Sequence, residues 1–119
     1  MLFVCLIHHT QEAFAEMSEQ EHARMQADSL AFDRKLKAEG KLVMARALKL
    51  PSEARTVRTR RKPIVTDGPF AETKEQIIGL VMIEAGDMAD AVAIAGAMAL
   101  ARTGHIEVRE AYSIDPADG

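Results

Sequence analysis

Aromatic residues are scarce in this sequence, which has no Trp and in which Phe, Tyr and Trp together make up 4%. Few rings are therefore available to stack on nucleic-acid bases or on sugars. The formal net charge at pH 7 is −3, which disfavours contact with nucleic acid or with an anionic membrane surface. We expect no nucleic-acid partner and no membrane partner.

Cysteine and long apolar runs are also lacking. Cys5 is the one cysteine, so no disulfide forms within the chain, and its apolar surroundings favour a buried thiol over a nucleophile. No run approaches the ~20 apolar residues of a transmembrane helix. Residues 2–7 have no basic segment before them and are shorter than the ~7–15-residue core of a signal peptide. These features predict one soluble, cytoplasmic domain, with residues 1–114 as its body and 115–119 as a flexible tail.

Two segments, residues 2–7 and 77–83, are apolar at almost every position. A strand with one face in water alternates apolar and polar residues, so both faces of these strands should be covered. The chain contains only two good helical patterns, enough for one face of a sheet. We therefore predict a homodimer in which a second copy covers the other face.

The helices carry clear boundary signals. Ser18 and Glu21 read as a capping box, and Gly40 suits the left-handed stop of the same helix. Asp87 is the N-cap of the second helix. The predicted buried face of that helix consists of Met88, Ala91, Val92, Ala95, Met98 and Ala99. The element order is β-α-β-β-β-β-α-β, which predicts an α+β fold, a ferredoxin-like subunit with an inserted β-hairpin.

Residues 67–75 lie near the middle of the chain and read DGPFAETKE. Asp-Gly-Pro is a turn signal, because Asp bonds its own backbone, Gly allows a positive φ and Pro fixes φ. Phe70 is expected to anchor this turn in the core. A turn does not require the hydroxyl and charged residues that follow, so the run indicates more than a turn.

This nine-residue run closely resembles the signature of the DGPF family, also called YCII-related proteins. The similarity extends over roughly the whole chain in element order. It implies a ferredoxin-like subunit that dimerises as an α/β barrel, with a cleft in which an Asp and a His have been proposed as acid–base residues. In YCII-type relatives the His lies near the start of the first long helix, where this chain has His22.

Asp67 and His22 are thus the catalytic candidates. Asp67 either orients the imidazole or acts as a base, or it caps the turn. His22 lies in a first helical turn, which favours a neutral ring able to accept a proton, although a solvated surface His has the same pattern. Gln26 and Ser29 lie on the His22 side of the helix and either line a cleft or form a solvated shoulder.

Thr73 and Lys74 follow the turn and would contact a substrate carboxylate at the rim of the cleft, or else pair with Glu72 or solvent. His8 and His9 are neighbours on a strand, so one points in and the other out. No ligand spacing such as His-x-x-x-His is present, and we assign no metal and no cofactor.

The basic run on the predicted hairpin suits binding of nucleic acid or of an anionic ligand, whereas the overall acidity and the scarcity of aromatics favour a solvated edge that discourages aggregation. It consists of Arg55, Arg58, Arg60, Arg61 and Lys62.

Two functions remain open from the sequence. One is cofactor-independent acid–base chemistry, an isomerisation or elimination, on a small anionic or phenolic molecule. Related barrels, including muconolactone isomerases and a dehydrochlorinase of the YCII type, support it by resemblance. The other is a non-catalytic ligand-binding or regulatory module, because DGPF proteins are often encoded near extracytoplasmic-function sigma factors. The small molecule itself is not identified by the sequence.

Overall fold

A computed structural model describes residues 1–59 and 61–118 of the chain. It has an α+β fold, as predicted. Short 3-10 turns at Pro51–Glu53, Ala99–Arg102 and Pro116–Asp118 supplement the main elements. In chain order, these are β1 (Leu2–Thr10), α1 (Gln11–Ala15), α2 (Glu19–Ala38), β2 (Leu42–Ala47), β3 (Arg55–Arg58), β4 (Ile64–Asp67), β5 (Glu75–Glu84), α3 (Met88–Gly96) and β6 (His105–Ala111).

The main sheet has four strands in the order β2-β5-β1-β6, and each neighbouring pair is antiparallel. Strands β3 and β4 form a separate two-stranded sheet, called the hairpin below. Without the hairpin, and with α1 and α2 taken as one helical segment, the order is β-α-β-β-α-β. This is the order expected of the predicted ferredoxin-like subunit.

One face of the main sheet, the inner face, carries the core. Alternate residues of β1 are buried. Phe3 and Cys5 are 0% exposed, as is Ile83 of β5, which lies opposite Phe3. They form one cluster with Leu36 of α2 and with buried residues of α3 such as Ile94. Burial raises the pKa of the Cys5 thiol, because the charged thiolate is disfavoured away from water.

The other face of the sheet, the outer face, is apolar but only partly buried. Leu6 lies opposite Leu80, and Val4 lies opposite Met82, whose other neighbour Met44 is 41% exposed. The molecule measures 47 × 45 × 19 Å. A thickness of 19 Å corresponds to one sheet and one helical layer, since a helix is about 10 Å across. The helices thus cover the inner face and leave the outer face open in a single copy.

The predicted boundaries of α2 are confirmed. The Ser18 hydroxyl accepts a hydrogen bond from the Glu21 amide at 3.1 Å, and the helix ends before Gly40, which has φ +72°. Asp87 caps α3 as predicted, with its carboxylate accepting from the Asp90 amide at 2.8 Å. Local capping chemistry was therefore sufficient to place these ends.

The predicted buried face of α3 is only partly right. Ala91, Ala95 and Met98 are buried, but Val92 and Met88 are 52% and 44% exposed, and Ile94 takes the remaining core position. Because α3 is apolar around most of its circumference, its sequence pattern does not fix which side faces the sheet. The side chain of Ala99 lies outside the described part of the chain.

The turn that opens the motif has the expected backbone, since Gly68 has φ +90°. The predicted role of Phe70 is wrong, because this side chain is 88% exposed. The loop that carries it lies beyond the end of the sheet, whereas the helices already fill the inner face. Phe70 therefore contributes to a surface cleft and not to the core.

Replacing Gly68 by Ala is expected to lower the free energy of unfolding by roughly 1 kcal/mol or more, because an L-residue is strained at this positive φ. No atom lies within 4 Å of the added Cβ, so the loss would be conformational and not steric. Gly96→Ala is the matched control, since Gly96 also has open space but an ordinary helical backbone. Urea unfolding of both variants measures the difference, and equal stabilities would contradict the role of the positive φ.

Candidate functional site

A cleft of about 590 Å³ lies where β1 ends and β5 begins. Its walls come from the segment that follows β2 and from the motif loop, and His8 contributes from β1. Such a volume is typical of small-molecule sites, which range from about 300 to 1,000 Å³. The lining is mainly apolar and includes Leu48, Leu50, Pro51, Pro69, Phe70 and Ile77, with Lys49, Glu53 and Glu75 as its charged members.

A break in strand pairing positions His8. The register of β1 with β5 shifts between Ile7 and His8, so that His8 lies opposite Ile77 in β5 and opposite His105 in β6. Bulges of this kind often occur beside active sites, because they re-aim a side chain. His8 thus belongs to the outer face at the cleft end of the sheet, whereas His9 is buried, as the alternation of a strand predicted.

The His8 ring has one nitrogen with unused hydrogen-bonding capacity. Its Nε2 atom is shielded from solvent and has no hydrogen-bond partner among the described residues. A carboxylate oxygen of Glu107 lies 3.4 Å from Nε2, close enough for an electrostatic contact but without hydrogen-bond geometry. An unsatisfied buried nitrogen invites a functional explanation, and proton exchange with a ligand is one such explanation.

A second carboxylate–imidazole pair lies alongside. The Glu75 carboxylate contacts Nδ1 of His105 at 2.6 Å, and Glu75 also lines the cleft. Since His105 is the cross-strand neighbour of His8, two imidazoles and two carboxylates occupy one corner of the outer face. This hydrogen bond helps to fix the Glu75 carboxylate at the cleft.

The comparison with protein families agrees with the motif and with the α+β topology. The YCII-related domain matches residues 1–115. The chain belongs to the YCII-related family. It is also 35% identical over 112 residues to an uncharacterised protein of Rhizobium meliloti (strain 1021). The matched segment covers 92% of this chain and 90% of that protein. The family membership predicted from the sequence is confirmed.

In this YCII-related chain, His22 and Asp67 have separate partners. The His22 ring packs on Phe14, and its Nε2–H donates to the Phe14 carbonyl at 2.8 Å. Asp67 is 89% exposed and pairs with Arg55 across the hairpin at 3.1 Å. Within the described residues neither group hydrogen-bonds to the other, and the dyad stays a prediction.

The remaining predicted contacts fall in different places. Thr73 lines the cleft, and its hydroxyl donates to the Glu75 carbonyl, whereas the exposed Lys74 beside it is not among the lining residues. Gln26 is exposed and Ser29 half-buried on α2, and neither lines the cleft. Thr73 of the motif loop thus lines the cleft and the polar row of α2 lies elsewhere, and the contacts of these residues with a substrate stay predictions.

The sequence-based prediction did not include His8 or Glu75 among the site residues. Two features of the sequence could have drawn attention to them: His8 follows an apolar strand segment, and Glu75 is the last residue of the motif. Neither feature shows that the two side chains share a cleft, because that depends on the pairing of β1 with β5.

His9 has a structural role on the inner face, where it is 1% exposed. Its Nδ1–H donates to the Thr10 carbonyl at 2.9 Å, which leaves Nε2 to accept from the Thr103 hydroxyl at 3.0 Å. The ring also meets Phe14 edge-on, with the centroids 5.0 Å apart. These contacts tie α1 and the segment before β6 to the end of β1.

In the described ranges, no group of three or more His, Cys, Asp or Glu side chains is arranged to hold a metal ion. No helix within those ranges is both long enough and apolar enough to cross a membrane.

Proposed function

We propose that this YCII-related protein is a homodimer whose cleft binds a small acidic or phenolic molecule, with which His8 exchanges a proton. The observation that carries the proposal concerns His8, which lines an apolar cleft of small-molecule size. Its Nε2 atom is shielded from solvent and has no hydrogen-bond partner among the described residues. The apolar lining suits the body of such a ligand. Lys49 in the same lining offers a cation for a carboxylate or phenolate.

The chemistry that fits this arrangement is cofactor-independent proton transfer, as in an isomerisation or elimination. A neutral His8 that carries its proton on Nδ1 has a lone pair at Nε2 to remove a proton from the ligand. The imidazolium that results would be stabilised by the Glu107 carboxylate 3.4 Å away. The same ring can then return the proton to another atom of the ligand or to its leaving group.

The homodimer is supported by the open outer face. Val4, Leu6, Leu80 and Met82 give this face an apolar centre, and residues 1–59 and 61–118 of one copy place no second layer on it. Large exposed apolar patches mark interaction sites in soluble proteins. Packing two outer faces together would bury both and form the barrel that the family resemblance implies.

A thermal-shift screen with small aliphatic and aromatic carboxylates and phenols tests the binding site. A ligand at 100 times its Kd stabilises the native state by about 2.7 kcal/mol and should raise Tm by roughly 10 °C. His8→Gln should abolish most of this rise, whereas the matched variants His22→Gln and Asp67→Asn should retain it. The reverse pattern would support the predicted dyad and contradict the role of His8.

Turnover separates an enzyme from a binding module. A ligand identified by the screen is incubated with the protein in D2O, and exchange of its C–H groups is followed by NMR. Catalysis predicts exchange or rearrangement that His8→Gln slows by about 100-fold or more, the usual effect of a general base. Binding without exchange would leave a ligand-binding or regulatory module.

A further inference from the structure

The segments at the two ends of the hairpin form one wall of the cleft. Ala54, directly before β3, and Pro69, shortly after β4, both belong to the lining. The Gly68 amide donates to the Ala54 carbonyl at 2.8 Å, and the Thr56 hydroxyl donates to the Gly68 carbonyl at 2.8 Å. The position of this wall therefore follows the position of the hairpin.

The hairpin has little cover from its own chain. Val57 and Val65 lie opposite each other on one face and are 52% and 61% exposed. Ile64 on the other face is 56% exposed. Because an isolated two-stranded hairpin is marginally stable in water, these apolar side chains need another surface to hold the ribbon in place.

The shape of the molecule also indicates incomplete packing within one copy. The radius of gyration is 16.2 Å, whereas a compact domain of this length has a value of about 13.5 Å. A flat sheet-and-helix body with a poorly covered hairpin accounts for the larger value.

Charge indicates the kind of surface that the hairpin would meet. Segment 55–67 contains five Arg or Lys residues and one Asp, a formal charge of +4, so the rest of a chain with net charge −3 carries −7. The hairpin is thus complementary in charge to the remainder of its own protein. A second copy carries the same excess of acidic residues outside its hairpin, together with an open apolar sheet face.

We propose that the hairpin of each copy docks on the other copy, so that the cleft is complete only in the dimer. This inference rests on the homodimer proposed above and adds that the partner fixes the wall of the ligand site. Dimerisation and ligand binding are then coupled, because each stabilises the same position of the hairpin.

The test compares Val57→Lys with Val92→Lys. Val92 is also 52% exposed but lies on α3 in the helical layer, so the two changes are matched in chemistry and exposure. Sedimentation at graded protein concentrations gives the dimer Kd. Val57→Lys should raise this Kd by about 30-fold or more, since two Val contacts per symmetric dimer are lost, and Val92→Lys should leave it within about twofold.

Hydrogen exchange provides a second measurement. In the wild type, the backbone amides of β3 and β4 should become more protected as protein concentration rises through the dimer Kd. The docking alone would be overturned if the wild type is a dimer, Val57→Lys leaves the dimer Kd unchanged, and hydrogen exchange in the hairpin does not depend on protein concentration. A wild type that stays monomeric at every concentration would overturn the homodimer as well.

Nucleic acid is the competing occupant of a basic hairpin. Binding of a short fluorescent DNA duplex at physiological salt is measured by anisotropy for the wild type and for Arg58→Glu. The docking proposal predicts no binding by the dimer. Tight binding that Arg58→Glu abolishes, together with a dimer Kd unaffected by Val57→Lys, would assign the hairpin to nucleic acid instead.

Discussion

Replacing Leu6 by Lys is expected to leave a folded monomer at micromolar concentration. Leu6 lies opposite Leu80 near the middle of the outer face, and two copies of this pair would be buried in a symmetric dimer. Losing the burial of one Leu costs about 1.5–3 kcal/mol, so the dimer loses about 3–6 kcal/mol and its Kd rises by roughly 10² to 10⁴. Light scattering should give the subunit mass of 13.0 kDa for the variant and twice that mass for the wild type.

Val92→Lys again serves as the control for this experiment. It places the same charge on an exposed position of α3 and should leave the dimer intact. Circular dichroism confirms that both variants are folded. A Leu6→Lys protein that still dimerises with wild-type affinity would exclude the outer face as the interface.

Phe3→Ala is expected to lower the free energy of unfolding by about 3–5 kcal/mol, the usual cost of truncating a buried Phe. Phe3 is 0% exposed on the inner face, opposite Ile83, so the removed ring would leave a cavity between the sheet and the helices. A small domain has only about 5–15 kcal/mol of stability in total. The variant should therefore unfold at a much lower urea concentration than the wild type, measured at the same protein concentration.

Phe70→Ala provides the matched control, because it removes the same ring from a side chain that is 88% exposed. Surface substitutions usually change stability by less than about 0.5 kcal/mol. A large loss of stability in Phe70→Ala would restore the core role that the sequence predicted for this residue. Similar losses in both variants would contradict the structural distinction between them.

Much of the fold was predictable because its signals are local or periodic. Ser18 and Gly40 bound α2 through cap chemistry, and Gly68 adopts the positive φ that its turn requires. Strand alternation correctly placed His8 and His9 on opposite faces. The continuous apolar character of β1 and β5 matches a sheet with an apolar outer face as well as a core face.

The candidate site was less accessible from the sequence. Thr73 was predicted to contact a substrate at the rim of a cleft and lines the cleft described above, but its contact with a substrate stays a prediction. His22 and Asp67 were paired on the strength of the family resemblance. In the structure each of these two groups has another partner, Phe14 for His22 and Arg55 for Asp67. The contact of His22 depends on how its ring packs on Phe14, and that of Asp67 depends on the register of the hairpin. The residue types alone specify neither.

By itself, the sequence determined the α+β class, the helix ends, the positive-φ turn at Gly68 and the family. These follow from interactions between residues close in the chain, or from periodicities that one strand or helix imposes. The tertiary structure alone decided which side of α3 is buried, where Phe70 lies, and that Glu75, His105 and Glu107 meet at His8. The physical reason is that the register of β1 with β5 and β6, and the bulge between β1 and β5, depend on contacts between segments distant in the chain. Those contacts determine which side chains meet at one corner of the sheet.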